Sequence, residues 1–248
     1  MKIISWNVNS IRARVHHVKK ILHDEQPTIL MLQETKVQDD DFPFHEFSDM
    51  DYKMFISGQK SYNGVAIFSK LDGHTENSFV KKFDEQKRFI MLETNNFIFI
   101  NVYVPNGNLV GTEKYEYKLK WFNSLKLFLK EIIETKKMIL IGGDFNIAPF
   151  ESDIYNFNYF EKKILCTKNE IKLYKDLIEI GFYDVFYEKR LHEYTWWDYR
   201  INKSNLNNGA RIDHFFCNQN KNFDVKVLKE YRLMERPSDH APILLENT

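Results

Sequence analysis

Cysteine is nearly absent: the 248 residues hold two, Cys166 and Cys217, far apart and with no CxxC pair. One disulfide at most is available, and two buried free thiols in a reducing compartment are the expectation. An excess of charge of either sign is also missing, because 35 basic residues balance 35 acidic ones. No global field draws such a chain to DNA or to a membrane surface, so a polyanion would have to be held by a local cluster. No apolar run approaches the length of a membrane span, and the N-terminal MKIISWNVNS lacks the apolar centre of a signal peptide. A soluble, cytoplasmic protein is expected, in which the Asn202-Lys203-Ser204 sequon is an accident of composition. With no internal repeat, low-complexity tract or Pro/Gly/Ser linker, one domain over residues 1–248 is the simplest reading.

What is present is aromatic and strand-rich. Phe, Tyr and Trp make up 15% of the chain, which suits a sheet-rich globular protein and argues against disorder. Nine short apolar runs have strand length and composition: KIISW, TILMLQ, GVAIFS, FIMLE, FIFINVYV, MILIGG, IDHFFC, DVKVL and PILLE. Three segments have helical spacing instead. Ser10 caps one with Ile11, Val15, Val18, Ile21 and Leu22 on its inner face; Thr112 opens a second that buries Phe122, Leu125, Phe128, Leu129, Ile132 and Ile133. A third follows Thr167, with Ile171, Tyr174, Leu177 and Ile178 on one side. There is no regular βαβα alternation. The pattern favours an α/β fold of two packed sheets with helices outside over a doubly wound parallel sheet.

Several of the runs stop at a functional side chain rather than at an ordinary turn. KIISW ends at Asn7, TILMLQ at Glu34, and FIFINVYV carries Tyr103 before Pro105-Asn106; MILIGG leads to Asp144-Phe145-Asn146, ARI to Asp213, and MERPS to Asp239-His240. Singly, each has an ordinary reading: turn asparagines, a helix-opening Glu34, an amphipathic core Tyr103, an Asx-turn at Asp144, a satisfied strand-end His240. Together they would place carboxylates, carboxamides and an imidazole on one rim, a costly arrangement without a cation or a reaction to compensate it. Oxygen ligands without cysteine or clustered histidine suit a hard cation, Mg²⁺ or Mn²⁺, rather than zinc. Phosphodiester hydrolysis needs charge neutralisation at phosphate, a base for water, a cationic donor and help for the leaving oxygen. Asp144 with Asn146 can supply the base, and His240 oriented by Asp213 the donor.

At these residues the sequence resembles the exonuclease III class of apurinic/apyrimidinic endonucleases, within the endonuclease/exonuclease/phosphatase superfamily. WNVNSIRAR, LQETKVQDDDFP, SGQKSYNGVAIFSK, NVYVPNG, GGDFNIAP, TWWDYR, GARIDHFFC and MERPSDHAP follow in the family's order over almost the whole chain. GDFN and SDHAP mark the superfamily; ETKVQDDDFP, GQK, WWDYR and MERPSDHAP belong to the exonuclease III branch. The resemblance implies a four-layer α/β sandwich and Mg²⁺- or Mn²⁺-dependent hydrolysis on the 5′ side of abasic sites in duplex DNA. It also implies 3′–5′ exonuclease and 3′-end trimming, in base excision repair, by a monomer. Glu34 is then the main metal ligand, with Asn7 and Asp239 beside it. Asp144 activates water, Asn146 positions water or phosphate, His240 meets the scissile phosphate under the orienting hand of Asp213, and Tyr103 reaches the phosphate or leaving oxygen.

The same resemblance places Arg88, Asn106 and Lys118 against the DNA backbone, where as isolated surface residues they would simply be solvated. Trp196 would line the pocket for a flipped-out abasic sugar, flipping being cheapest where a base is already missing. Ala210 departs from the pattern, standing where many relatives carry a bulky Trp or Leu, and this predicts a roomier pocket. Two other readings stay open. A phosphoinositide or sphingolipid phosphodiesterase would share GDFN and SDH but not WWDYR or ETKVQDDDFP; a nucleic-acid-binding module would bind without metal-dependent turnover, and its DNA binding, like that of a nuclease, would weaken steeply with salt.

Overall fold

The computed structural model describes residues 1–76, 85–189, 192–199, 206–219 and 222–247; Arg200 and the Asn202-Lys203-Ser204 sequon lie outside them. In chain order the strands are β1 (Lys2–Asn7), β2 (Ile29–Gln33), β3 (Lys53–Ser57), β4 (Val65–Ser69), β5 (His74–Glu76), β6 (Phe89–Glu93), β7 (Phe97–Tyr103), β8 (Met138–Asp144), β9 (Tyr183–Asp184), β10 (Asp213–Cys217), β11 (Phe223–Val227) and β12 (Ile243–Asn247). They form two six-stranded mixed sheets, ordered β11-β12-β1-β2-β4-β3 and β5-β6-β7-β8-β10-β9. All nine apolar runs are strands. The three strands that no run announced, β3, β5 and β9, each lie at a sheet edge, where one side is open and no continuous apolar stretch is needed.

The period-2 alternation of the central strands builds the layers. Between the sheets pack Ile3, Met31, Ile67, Leu92, Phe99, Leu140 and Phe215. On the outer face of the first sheet, Ile4, Trp6 and Leu30 receive Val18, Ile21 and Leu22 from α1 (Val15–Glu25). On the second, Ile100, Ile139 and Ile141 receive Phe122, Leu125 and Leu129 from α2 (Glu113–Ile132), with Leu173 and Leu177 from a later helix. The result is a four-layer α/β sandwich, as the resemblance implies. Among the described residues no helix is long and apolar enough to cross a membrane.

Helix starts follow their caps in two cases out of three. Thr112 accepts the Tyr115 N–H at the start of α2. Between them and the next large helix stands a single turn, α3 (Phe157–Phe160). Thr167 and Glu170 form a reciprocal capping box opening α4 (Lys168–Glu179). Ser10 opens only a 3-10 turn, Arg12–Arg14, and α1 begins at Val15. The inner face of α4 is Leu173, Tyr174 and Leu177, while Ile178 is exposed; the expected face was displaced by one residue because Leu173, not Ile178, completes the stripe. A last short helix, α5 (Val185–Glu188), follows β9.

The glycine pair of MILIGGD is dictated by contact. Gly143 has φ 154, and a Cβ there would stand 2.0 Å from the Val102 carbonyl oxygen of neighbouring β7. Gly143→Ala should therefore destabilise by about 1–3 kcal/mol, the usual range for overpacking. A urea midpoint equal to that of the unmutated chain would disprove this.

β1 runs parallel to β2, and β7 parallel to β8, with Asn7 opposite Gln33 and Tyr103 opposite Asp144. Antiparallel β10 starts at Asp213, opposite Asp144. Because antiparallel β12 pairs with β1, the residues that lead into it arrive at the same end. Six strand ends thus share one rim, on the carboxyl side of the parallel pairs, where open sheets bind ligands.

Candidate active site

The rim encloses a cleft of about 640 Å³, lined on one side by Glu34, Tyr103, Asp144, Asn146, Asp239 and His240. Several backbones here are held in the left-handed region: Asn9 at φ 46, Glu34 at φ 51, Lys36 at φ 55 and Asn146 at φ 50. Such conformations cost on the order of 1–3 kcal/mol each and cluster at functional sites.

Asp144 is buried at the centre. Its Oδ2 accepts the Asn7 Nδ2 at 2.9 Å and lies 3.7 Å from His240 Nε2; its Oδ1 accepts the Asn146 backbone N–H at 2.9 Å. Burial raises its pKa to about 7; the His240 charge opposes the rise and Asp213 adds to it. His240 Nδ1 meets Asp213 Oδ2 at 2.8 Å, and that oxygen also accepts the Thr195 hydroxyl at 2.6 Å. Burial alone would lower the His240 pKa, but the carboxylates of Asp213 and Asp144 push it up to about 10. Near neutral pH the imidazolium is therefore held ready beside a carboxylate poised to take a proton. The residues expected as base and donor therefore stand side by side.

Glu34 faces the open cleft. Burial would raise its pKa, yet the Lys36 ammonium, 2.8 Å from Oε2, together with the Asn7 amide, holds it below the ordinary carboxylate range. Lys36 also donates to Asn9 Oδ1, and Asn9 Nδ2 donates to Asp239 Oδ1 at 3.0 Å. Asp239 Oδ2 accepts the Trp196 indole N–H at 3.2 Å. An ammonium thus bridges ionised Glu34 to an amide oxygen that leads to Asp239, so the donor set fits a hard cation that could take the ammonium's place. Asn7 gives its amide N–H groups to Glu34 and Asp144 and its oxygen to the Asn9 N–H. Here it orients the carboxylates rather than adding a ligand oxygen. Among the described residues the Asp/His group with metal-like spacing is Asp144, Asp213 and His240, within 4.8 Å of one another. That group is buried and tied together by its own contacts, Asp213 to His240 and His240 to Asp144, whereas Glu34 lines the cleft.

Tyr103 donates to Glu34, and burial with that carboxylate keeps its phenol pKa well above the ordinary value. The phenol therefore stays neutral and keeps its proton. Arg88 lies over the Tyr103 ring at 4.5 Å and its Nη1 donates to the Tyr103 carbonyl at 3.3 Å. Asn106 Nδ2 donates to Asn146 Oδ1 at 2.9 Å, and Asn146 Nδ2 to the Val104 carbonyl at 3.0 Å.

Two expectations are corrected by the geometry. Lys118 is no surface contact for DNA: its side chain is fully buried, ion-paired with equally buried Glu170, and donates to the Asn146 carbonyl at 2.7 Å and the Asn106 carbonyl at 3.3 Å. The helical stripe of α2 turns it inward, where it ties together the two loops that carry these asparagines, one after β7 and one after β8. Breaking a buried pair costs about 3–5 kcal/mol, so Lys118→Met should lower stability by that much. The slope of log affinity for DNA against log salt should stay unchanged, since no phosphate contact is lost; a shallower slope would restore the contact. Ala210 does not line the cleft. It is buried with Ala148, Ile154, Leu165 and Ile212 and bridges Ile154 and Trp196 backbone to backbone. Ile212 and Trp196 line the cleft instead, together with Phe160, Ile164 and Leu165, so the small side chain at 210 opens no extra space.

The sequence reading missed Lys36, Asn9 and Thr195. Lys36 and Asn9 lie two residues from Glu34 and Asn7, and a cation so close to the only carboxylate of a strand end is a usable signal. Thr195 has none, since its hydroxyl reaches Asp213 only through the β-bridges of its segment.

Two face-to-face mixed sheets with a buried Asp–His–Asp cluster and the carboxylates of Glu34 and Asp239 at their strand ends are the architecture of a metal-dependent phosphoesterase of the DNase I-like class. The family model described as "Endonuclease/Exonuclease/phosphatase family" matches residues 4–240, and the chain belongs to that family. Exodeoxyribonuclease III of Haemophilus influenzae is 35% identical over 272 residues, covering 99% of each chain. Among solved structures, the 3′ phosphatase NExo from Neisseria, bound to a product DNA hairpin, is 36% identical, with a TM-score of 0.93, covering 100% of this chain and 99% of that one. An AP endonuclease from Archaeoglobus fulgidus is 32% identical with a TM-score of 0.93, covering 99% and 98%. The protein is a nuclease of the exonuclease III type.

Proposed function

We propose that this enzyme is a Mg²⁺-dependent DNA repair nuclease that hydrolyses the phosphodiester on the 5′ side of abasic sites in duplex DNA, with 3′–5′ exonuclease and 3′-end trimming activity. The carrying observation is the relay itself: Asp144, its oxygens fixed by Asn7 and Asn146, stands 3.7 Å from a His240 held cationic by Asp213. Asp144 takes the proton of the attacking water. His240 and the neutral Tyr103 donate to the phosphate oxygens that gain charge, and Asn146 sets the direction of approach. Glu34 and Asp239 would hold the Mg²⁺, which when bound neutralises phosphate charge and the leaving oxygen. Arg88 and Asn106 would meet the DNA backbone, and Trp196 the deoxyribose.

The apolar end of the cleft favours a second weighting of the same chemistry. Leu165, buried at φ 79, and Ile164 line the cleft together with Trp196, and their apolar side chains there would favour 3′-terminal phosphate or nucleotide removal over accommodation of a flipped sugar. Incubation with Mg²⁺ and a duplex carrying one tetrahydrofuran abasic analogue, beside 3′-phosphate and undamaged duplexes, tests both. Nicking 5′ to the analogue, abolished by EDTA and by Asp144→Ala, is expected. Release of 3′ phosphate without nicking would establish the second weighting, and no metal-dependent product from any substrate would overturn the proposal.

A further inference from the structure

The cleft has a second wall that the hydrolytic residues leave unused. It is formed by Tyr155, Tyr159, Phe160 and Lys163, around the single helical turn α3. The stretch carries four aromatic residues in six positions, Tyr155, Phe157, Tyr159 and Phe160; Phe157 and Phe160 pack against the cluster of Ile154, Leu165 and Ile212, but the core does not account for Tyr155, 40% exposed, or Tyr159, 51% exposed. Scattered exposed aromatics need no explanation, but a contiguous group beside an active site does. Here the rings are organised. Phe160 stands edge-on to both neighbours, 5.8 Å from Tyr155 and 4.9 Å from Tyr159, and the Lys163 ammonium lies 3.7 Å from the centre of the Tyr159 ring.

Flat π-surfaces next to a cation are how proteins hold nucleic acid whose bases are unstacked: rings take base faces irrespective of sequence, and the cation takes backbone phosphate. Paired bases inside a duplex show no free face, so such a wall serves only an unpaired nucleotide. Both features occur here in one cleft of nucleotide dimensions, continuous with the acidic rim. We propose that residues 155–163 form a stacking platform for an unpaired nucleobase of the DNA strand whose phosphate lies at Asp144 and His240, with Lys163 on the adjoining phosphate. The assignment rests on the nuclease reading, and it makes a frayed or single-stranded end a better ligand than a fully paired one.

Two probes separate the bases from the backbone: a duplex with a short unpaired 3′ extension, and the same duplex whose extension consists of tetrahydrofuran units without bases. Binding is followed by fluorescence anisotropy in EDTA, which prevents turnover, with the full-length chain. Unmutated protein should bind the base-bearing extension more tightly. In the Tyr155→Ala/Tyr159→Ala variant that affinity should fall on the order of 10- to 100-fold, while the base-free probe changes by less than about twofold. Tyr155→Phe/Tyr159→Phe should keep the preference, because the rings remain. Equal binding of the two probes by the unmutated protein, or an equal loss on both in the Ala variant, would overturn the platform. Metal-dependent hydrolysis of bis(p-nitrophenyl) phosphate, which has no base to stack, is measured in parallel. Its absence in the unmutated protein alongside retained base preference would sink the hydrolase reading while the platform stood, and its persistence in the Ala variant shows that the variant is folded.

Discussion

Asp144→Asn is expected to lower kcat by about 10²–10⁴-fold, the range for loss of a positioned general base, with KM little changed. The side chain is buried, so the substitution exchanges a group of the same shape, and the amide oxygen can still accept the Asn146 N–H that Asp144 Oδ1 accepts now. What disappears is the oxygen facing Asn7 and His240, the one able to take a proton. A loss in kcat at constant KM marks an interaction made only in the transition state. Single-turnover cleavage of the abasic duplex measures it, and a fall smaller than about tenfold would mean that another group serves as the base.

Asp213→Asn should act through His240 and be read in the pH profile. Asp144 must be ionised to work. Burial sets its pKa to about 7, so kcat/KM should rise as pH increases through that value. His240 must be protonated. Burial works against its charge, but Asp213 first and Asp144 second raise the pKa to about 10, so activity should decline only as pH passes that value. The active window therefore runs from about pH 7 to about pH 10. Without the Asp213 carboxylate the alkaline limb should move down toward the ordinary imidazole value of about 6.5. The acid limb should move down as well, because Asp213 adds to the rise of Asp144, and activity at the former plateau should fall by at least about tenfold, since each unit of displacement is a tenfold change in the protonated fraction. An alkaline limb left in place by Asp213→Asn would show that this carboxylate does not sustain the charge on His240.

Much of the site was legible because it is written at strand ends. Asn7, Glu34, Tyr103, Asp144, Asp213 and His240 each close or open an apolar run, and the parallel β1-β2 and β7-β8 pairs carry them to one edge. Lys118 was misread because helical position alone does not tell which face is inward: only the packing of α2 against α4, with Glu170 waiting there, decides that a lysine is buried. Ala210 was misread for a related reason. Its size is visible in the chain, but whether a small residue leaves a void depends on Leu165 and Ile154 arriving from another segment. Lys36 and Asn9 went unnoticed because their value lies in bridging Glu34 toward Asp239, residues more than two hundred positions apart.

The amino-acid order by itself determined nine of the twelve strands and the chemistry placed at their ends, because alternation, run length and residue type are local properties of the chain. Tertiary structure alone decided the edge strands β3, β5 and β9, the inward turn of Lys118 and the closed space behind Ala210. It also decided the pKa values, with Asp144 near 7 and His240 near 10. These depend on which distant groups are brought into a water-poor interior, where burial and neighbouring charge act over a few ångströms of space rather than along the sequence.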